Sequence, residues 1–97
     1  IVSRFGGEEF ILLLPDTTLA DAARTAERIR ETVCATTFPF AGTMTISAGV
    51  ASRDDQSRDR DALLRRADEA LYEAKAAGRN TVIIAGPDGF STPESAR

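Results

Sequence analysis

Apolar residues recur at helical spacing in two stretches of the chain. The first stretch has apolar residues every three or four positions, with charged residues on its other faces: Leu19, Ala22, Ala23, Ala26, Ile29 and Val33. The second stretch has a similar stripe: Leu63, Leu64, Ala67, Leu71 and Ala74. Thr18 and Asp21 resemble a capping box before the first helix, and Gly78 is placed to end the second in a left-handed conformation. The pattern predicts two amphipathic helices.

Two short apolar runs near the start of the chain lie on either side of a glycine pair. Residues 1–5 and 10–14 are rich in branched and aromatic side chains, and Gly6-Gly7 lies between them. Glycine adopts positive φ without steric cost, so the pair predicts a β-hairpin with a two-residue turn. Pro15 then ends the second strand.

Residues 44–51 alternate and predict a further strand with two different faces. One face carries only small side chains: Thr45, Ser47, Gly49 and Ala51. Such a face suits a neighbour that packs closely. Residues 38–42, which contain Pro39, predict a loop or a short edge strand. Residues 81–85 are a β-branched run and predict the last strand.

The order of these elements predicts one domain over residues 1–85. Hairpin, helix, strands, helix and strand in succession indicate an α/β sandwich with a largely antiparallel sheet. The sheet begins at the first residue, so we expect that strands preceding it are missing from this chain. Residues 86–97 contain two prolines and two glycines among small polar residues, which predicts a disordered tail.

Composition narrows the class of protein. The chain has 97 residues, with 42% hydrophobic and 28% charged, which is typical of a single globular domain. No apolar run approaches the roughly 18 residues that span a bilayer, and the N-terminus lacks a signal-peptide pattern. We therefore expect a cytoplasmic protein with no membrane contact from this segment, while a membrane anchor elsewhere in the parent protein stays open.

The charged and reactive residues limit the chemistry. Fifteen acidic and twelve basic residues give a net charge of −3, which opposes binding to a nucleic acid polymer. The chain has no histidine and a single cysteine, Cys34, which excludes Ser-His and Cys-His catalytic pairs and an internal disulfide. Carboxylates, backbone amides, arginines and the only lysine, Lys75, remain. These groups suit phosphate and divalent-metal chemistry.

Two segments are candidates for that chemistry, and each has a plain structural alternative. Phosphate can approach the backbone of Gly6-Gly7, and the adjacent Glu8 and Glu9 can hold Mg²⁺, but an ordinary hairpin with two solvated glutamates has the same residues. Lys75 and Arg79 could grip a polyphosphate near the end of the second helix. They could also only complement the helix dipole, worth about 0.3–1 kcal/mol.

Taken together, three segments resemble the diguanylate cyclase family, also called the GGDEF family. GGEEF at residues 6–10 matches its signature, MTISAGVA at residues 44–51 resembles a strand of its sheet, and ADEALYEAKAAGRN at residues 67–80 resembles its closing helix. The segments occur in the family's order, and the resemblance covers about residues 2–85. It implies part of a palm-like nucleotidyl-cyclase fold.

The resemblance also implies a reaction. Members of the family bind one GTP per domain and pair two domains face to face as a homodimer. Each 3′-hydroxyl then attacks the α-phosphate of the opposite nucleotide, and cyclic di-GMP and two pyrophosphates are released. Glu8 would hold the catalytic Mg²⁺ (or Mn²⁺) and assist deprotonation, and Glu9 would support the metal site. The implied nucleotide-binding residues are Gly6, Gly7, Lys75 and Arg79.

The chain also departs from the family pattern. The family's domain has a further metal-binding aspartate, guanine-recognising residues and a product-inhibition motif before the signature, and none of these lies in this sequence. We therefore expect the 97-residue chain to be inactive alone and to self-associate through its exposed strands.

Two other functions stay open. One is a catalytically silent relative that binds GTP or cyclic di-GMP as a regulatory module. The other is an unrelated α/β interaction domain in which the glycines only turn a hairpin and the cations only cap a helix. The sequence does not reveal the sensory domains or the input signal of the parent protein.

Overall fold

The computed structural model describes residues 2–4, 10–12, 17–53 and 59–93, and these form a mixed α/β fold. The predicted fold class is confirmed. Within the described residues the elements follow in this order: β1 (Val2–Arg4), β2 (Phe10–Leu12), α1 (Leu19–Ala35), β3 (Thr37–Phe38), β4 (Gly42–Thr43), β5 (Ala48–Ala51), α2 (Arg60–Ala76), β6 (Val82–Gly86) and β7 (Gly89–Ser91).

Strands β1 and β2 pair in the antiparallel direction, as the sequence predicts for a hairpin. Val2 lies opposite Leu12, and Arg4 lies opposite Phe10. Residues 5–9 connect the two strands. The predicted two-residue turn at Gly6-Gly7 lies outside the described residues.

Helix α1 begins where the capping pattern predicts. The side-chain oxygen of Thr18 accepts a hydrogen bond from the backbone N–H of Asp21 at 3.1 Å, which satisfies one of the free donors in the first turn. The helix ends at Ala35. Ala23 and Glu27 are the buried residues of this helix, so its most buried positions include a charged side chain.

The predicted strand over residues 44–51 is shorter in the structure. Only Ala48–Ala51 form a strand, and residues 44–47 do not. The preceding segment, predicted as a loop or a short edge strand over residues 38–42, forms a small hairpin in which residues 37–38 pair with residues 42–43. The neighbouring strand supplies the reason. Ala48 lies opposite Val82, and the chain just before that position passes through Asn80, whose positive φ cannot continue a β ladder.

Strands β5 and β6 are parallel, which corrects the expectation of a largely antiparallel sheet for this part of the chain. Ala48 pairs with Val82 and Ala51 with Ala85. Helix α2 connects the two strands and returns the chain to the same end of the sheet, as parallel pairing requires. The three-stranded sheet is therefore mixed, because β7 pairs with β6 in the antiparallel direction.

The best-packed part of the described structure lies between α2 and this sheet. Ala70 and Ala74 of the helix are fully buried and form a cluster with Ile83 and Ala85, against which Ala51 packs. Gly49 allows an even closer approach, because a Cβ at this position would overlap the backbone of α2. The predicted small-residue face is confirmed for Gly49 and Ala51, whereas Thr45 and Ser47 lie before the strand.

The expectation of a disordered tail from residue 86 is wrong for residues 89–91. These residues form β7, which pairs with the end of β6, and Pro93 is buried. The turn is encoded by Pro87-Asp88-Gly89, since proline, aspartate and glycine in this order favour a tight turn. Gly89 has φ of +122°, which glycine adopts most easily. Residues 94–97 lie outside the described part of the chain.

Neither helix in the described residues combines the length and apolarity needed to cross a membrane.

Candidate nucleotide-binding site

Four of the five residues of the predicted signature lie between two strands that the structure describes, and the fifth, Phe10, begins the second strand. β1 ends at Arg4 and β2 begins at Phe10, and the two are paired. Gly6, Gly7 and both predicted metal ligands, Glu8 and Glu9, lie between them and outside the described residues. Their distance from the two predicted cations therefore stays a prediction.

The two predicted phosphate-binding cations lie at and just after the C-terminal end of α2. Lys75 is in the last turn of the helix, Arg79 follows two residues after the C-cap Ala77, and both residues are exposed. A cation at this end of a helix also interacts favourably with the helix dipole. The exposure of both residues leaves them accessible to a polyanionic ligand.

Two backbone hydrogen bonds end α2, and Arg79 donates one of them. The N–H of Gly78 donates to the carbonyl oxygen of Lys75 at 3.3 Å, and the N–H of Arg79 donates to that of Ala74 at 3.0 Å. These two bonds define a Schellman motif, which requires a left-handed residue after the C-cap. Gly78 fills that position with φ of +110°, so the predicted left-handed cap is confirmed.

Asn80, in the segment after this cap, is held by Ser47 and Arg30, and none of the three was assigned to the site from the sequence. The N–H of Asn80 donates to Ser47 Oγ at 3.1 Å, and Arg30 Nη1 donates to Asn80 Oδ1 at 2.9 Å. The sequence contains a weak indication of the role of Asn80, since asparagine next to a glycine cap tolerates left-handed φ. The sequence contains no indication of the role of Arg30, because Arg30 lies fifty positions from Asn80.

No group of three or more histidine, cysteine, aspartate or glutamate side chains comes together among the residues that the structure describes. The predicted donors, Glu8 and Glu9, are adjacent carboxylates, and carboxylate oxygens are the ligands that Mg²⁺ prefers. Their chemistry therefore fits a magnesium site.

Comparison with known proteins agrees with the resemblance seen in the sequence. The family model for the diguanylate cyclase GGDEF domain matches residues 1–81. Response regulator PleD of Caulobacter vibrioides is 49% identical over 85 residues, which are 82% of this chain and 19% of that protein. Diguanylate cyclase DgcM of Escherichia coli K12 is 45% identical over 85 residues, 88% of this chain and 20% of that protein.

A third relative gives the same result. Diguanylate cyclase DgcP of Pseudomonas aeruginosa is 41% identical over 87 residues, which are 87% of this chain and 13% of that protein. The chain thus spans a fifth or less of the length of these three relatives. The match over residues 1–81 shows that the chain belongs to the GGDEF family of diguanylate cyclase domains, a family of bacterial cyclic di-GMP signalling.

Proposed function

We propose that the protein containing this chain is a diguanylate cyclase that condenses two GTP molecules into cyclic di-GMP and releases two pyrophosphates. The family match over residues 1–81 carries this proposal, because it includes an intact GGEEF signature. The antiparallel pairing of β1 and β2 supports it, since these strands hold both ends of the signature segment.

We assign metal binding to Glu8 and Glu9. A divalent ion held there, Mg²⁺ or Mn²⁺, would supply charge stabilisation on the phosphate oxygens of GTP. The neighbouring Gly6 and Gly7 lack a Cβ, so their backbone amides can approach the nucleotide. Glu8 would in addition accept the proton of the attacking 3′-hydroxyl.

We assign the triphosphate end of GTP to Lys75 and Arg79. The arrangement at the end of α2 supports this assignment, because both cations are exposed and only four positions apart. Arginine presents a planar fork of donors that matches phosphate oxygens, and lysine adds a compact point charge. Such contacts bind the triphosphate and position its α-phosphate for attack.

Catalysis in this proposal requires two copies of the domain, each holding one GTP. Each copy presents its nucleotide to the other, so a single domain cannot complete the ring. We expect the 97-residue chain alone to form no product, because the implied upstream aspartate and guanine-binding residues are not among its residues.

The proposal is tested with the full-length protein that contains this sequence. Purified protein is incubated with GTP and Mg²⁺, and cyclic di-GMP and pyrophosphate are measured over time. Glu8→Gln should lower turnover by about a hundredfold or more, since it removes a metal-binding charge from the transition state. Glu69→Gln, which removes an exposed carboxylate of α2, is the matched control and should keep normal turnover.

Two outcomes would contradict the proposal. Normal turnover by Glu8→Gln would remove that residue from the active site. Absence of product from the wild-type protein, together with saturable binding of GTP or cyclic di-GMP, would instead identify a silent regulatory domain.

A further inference from the structure

The segment that follows α2 has an unusual backbone conformation. Gly78, Arg79 and Asn80 have φ of +110°, +65° and +49°, so three consecutive residues are left-handed. Glycine adopts this region freely and asparagine tolerates it, but arginine does so only at an energetic cost. A helix can end with one left-handed residue, so the Schellman motif alone does not explain the other two.

Hydrogen bonds from two distant elements hold this segment. Ser47, just before β5, accepts a hydrogen bond from the backbone N–H of Asn80. Arg30 of α1 donates a hydrogen bond to the side-chain oxygen of Asn80. The next residue, Thr81, accepts from the N–H of Ala48 at 3.0 Å. Strained backbone persists where its surroundings hold it in place, and such segments cluster at functional sites.

The donor from α1 is itself held in place. Arg30 forms an ion pair with Glu27 one turn earlier on the same helix. Glu27 is 7% exposed and is the one charged residue buried among those that the structure describes. Burial of a carboxylate is costly unless it is paired, so the pair restricts the guanidinium and directs Nη1 to Asn80.

We propose that Glu27, Arg30 and Asn80 form a positioning relay that holds Arg79 in its left-handed conformation for binding the triphosphate of GTP. The relay rests on the proposed function, because it concerns the cations assigned to the triphosphate. These three are positioning residues and do not themselves contact the nucleotide. A fixed backbone at Arg79 lowers the conformational entropy that this side chain loses on binding, which strengthens its contact.

The structural half of the proposal is tested by hydrogen–deuterium exchange of the full-length protein, read from peptides covering residues 76–82. Arg30→Ala and Asn80→Gly should each accelerate exchange in this segment. Asn80→Gly is the sharper variant, because glycine still adopts positive φ and the Glu27–Arg30 pair is kept. Arg24→Ala removes an exposed arginine of the same helix, paired only with the nearby Asp21 among the contacts described, and should leave the segment unchanged.

The functional half is tested by nucleotide affinity. A GTP analogue with a methylene group between the α- and β-phosphates cannot react, so its Kd measures binding alone. Asn80→Gly should raise this Kd by about three- to tenfold, the range expected for loss of one hydrogen bond, while the Kd for guanosine stays unchanged. Asn80→Asp keeps the acceptor for Arg30 and should restore most of the affinity.

Turnover gives a further readout that separates positioning from chemistry. Asn80→Gly should raise KM for GTP with kcat within about twofold of the wild type, because ground-state and transition-state binding of the triphosphate weaken equally. Loss of kcat at unchanged KM would overturn the proposal. Unchanged exchange at residues 76–82 in both variants would overturn it as well.

The result also separates this inference from the proposed function. Faster exchange together with weaker binding of the analogue supports the relay even if the wild-type protein forms no cyclic di-GMP. If the wild-type protein does not bind the analogue, the proposed function and the relay's role in triphosphate binding are both overturned. The exchange data then show only whether Arg30 and Asn80 hold the backbone of residues 76–82.

Discussion

The two helices contact the same strands, β5 and β6, in physically different ways. Helix α2 is joined by close apolar packing, with Ala70 and Ala74 fully buried and Gly49 directly beneath the helix backbone. Helix α1 buries Ala23 and the charged Glu27, and Arg30 of this helix donates a hydrogen bond to Asn80 in the segment after α2.

This difference indicates that the two helices have different roles, one in stability and one in positioning. Close packing of small residues leaves no room for extra atoms and makes the α2 contact sensitive to single methyl groups. A charged pair and a hydrogen bond depend on direction, so the α1 contact can orient a segment without adding much apolar burial. We infer that α2 stabilises the domain, while α1 mainly holds the predicted triphosphate-binding segment in position.

The largest expected effect is from Gly49→Ala. The new methyl group would overlap the carbonyl oxygen of Ala67 and lie 2.9 Å from the carbonyl carbon of Ala70, so α2 would have to move. We expect a loss of about 3–4 kcal/mol in the free energy of unfolding, measured by urea denaturation. Gly86→Ala is the control, because its methyl group would meet Gly89 at an ordinary 3.5 Å. Equal effects of the two variants would contradict the close contact.

A smaller loss is expected from truncation of the apolar core. Ile84 of β6 is 2% exposed, and Ile84→Ala should cost about 2–3 kcal/mol through lost burial and a cavity. Ile29 of α1 is 39% exposed, and Ile29→Ala should cost about 1 kcal/mol or less. Both values come from chemical denaturation of the same protein. If the α1 variant were the more destabilised, the contrast between the two helices would be wrong.

Removing each helix N-cap should lower the free energy of unfolding by about 1 kcal/mol. The two variants also test the contrast between α1 and α2. Thr18 caps α1, and Asp59 caps α2 by accepting from the N–H of Ala62 at 2.7 Å. Asp59→Ala should accelerate hydrogen exchange in α2 and in β6 together, because these elements share one core. Thr18→Ala should accelerate exchange mainly in α1. Uniform acceleration after Thr18→Ala would show that α1 unfolds together with the core.

The smallest effect is expected from the exposed ion pair of α1. Arg24 and Asp21 are both more than half exposed, and such pairs contribute little. Arg24→Ala should change the free energy of unfolding by about 0.5 kcal/mol or less, measured by thermal denaturation with added salt as a second condition. A larger loss would indicate that this face of α1 has a structural role that the described contacts do not explain.

Local patterns in the sequence were sufficient to predict the features that depend only on neighbouring residues. Apolar spacing predicted both helices, Thr18 predicted the start of α1, and Gly78 predicted the end of α2. The small face at Gly49 predicted a closely packed neighbour. Capping, helical periodicity and the absence of a Cβ act over a few residues, so the sequence alone determines them.

Tertiary structure decided which distant segments meet. Parallel pairing of β5 with β6, the start of β5 at Ala48 and the recruitment of β7 depend on a partner strand, which no local pattern specifies. The contact of Arg30 with Asn80 joins residues fifty positions apart. A surface arginine on an amphipathic helix has the same local signature whether or not it has a distant acceptor, so only the folded chain identifies this one.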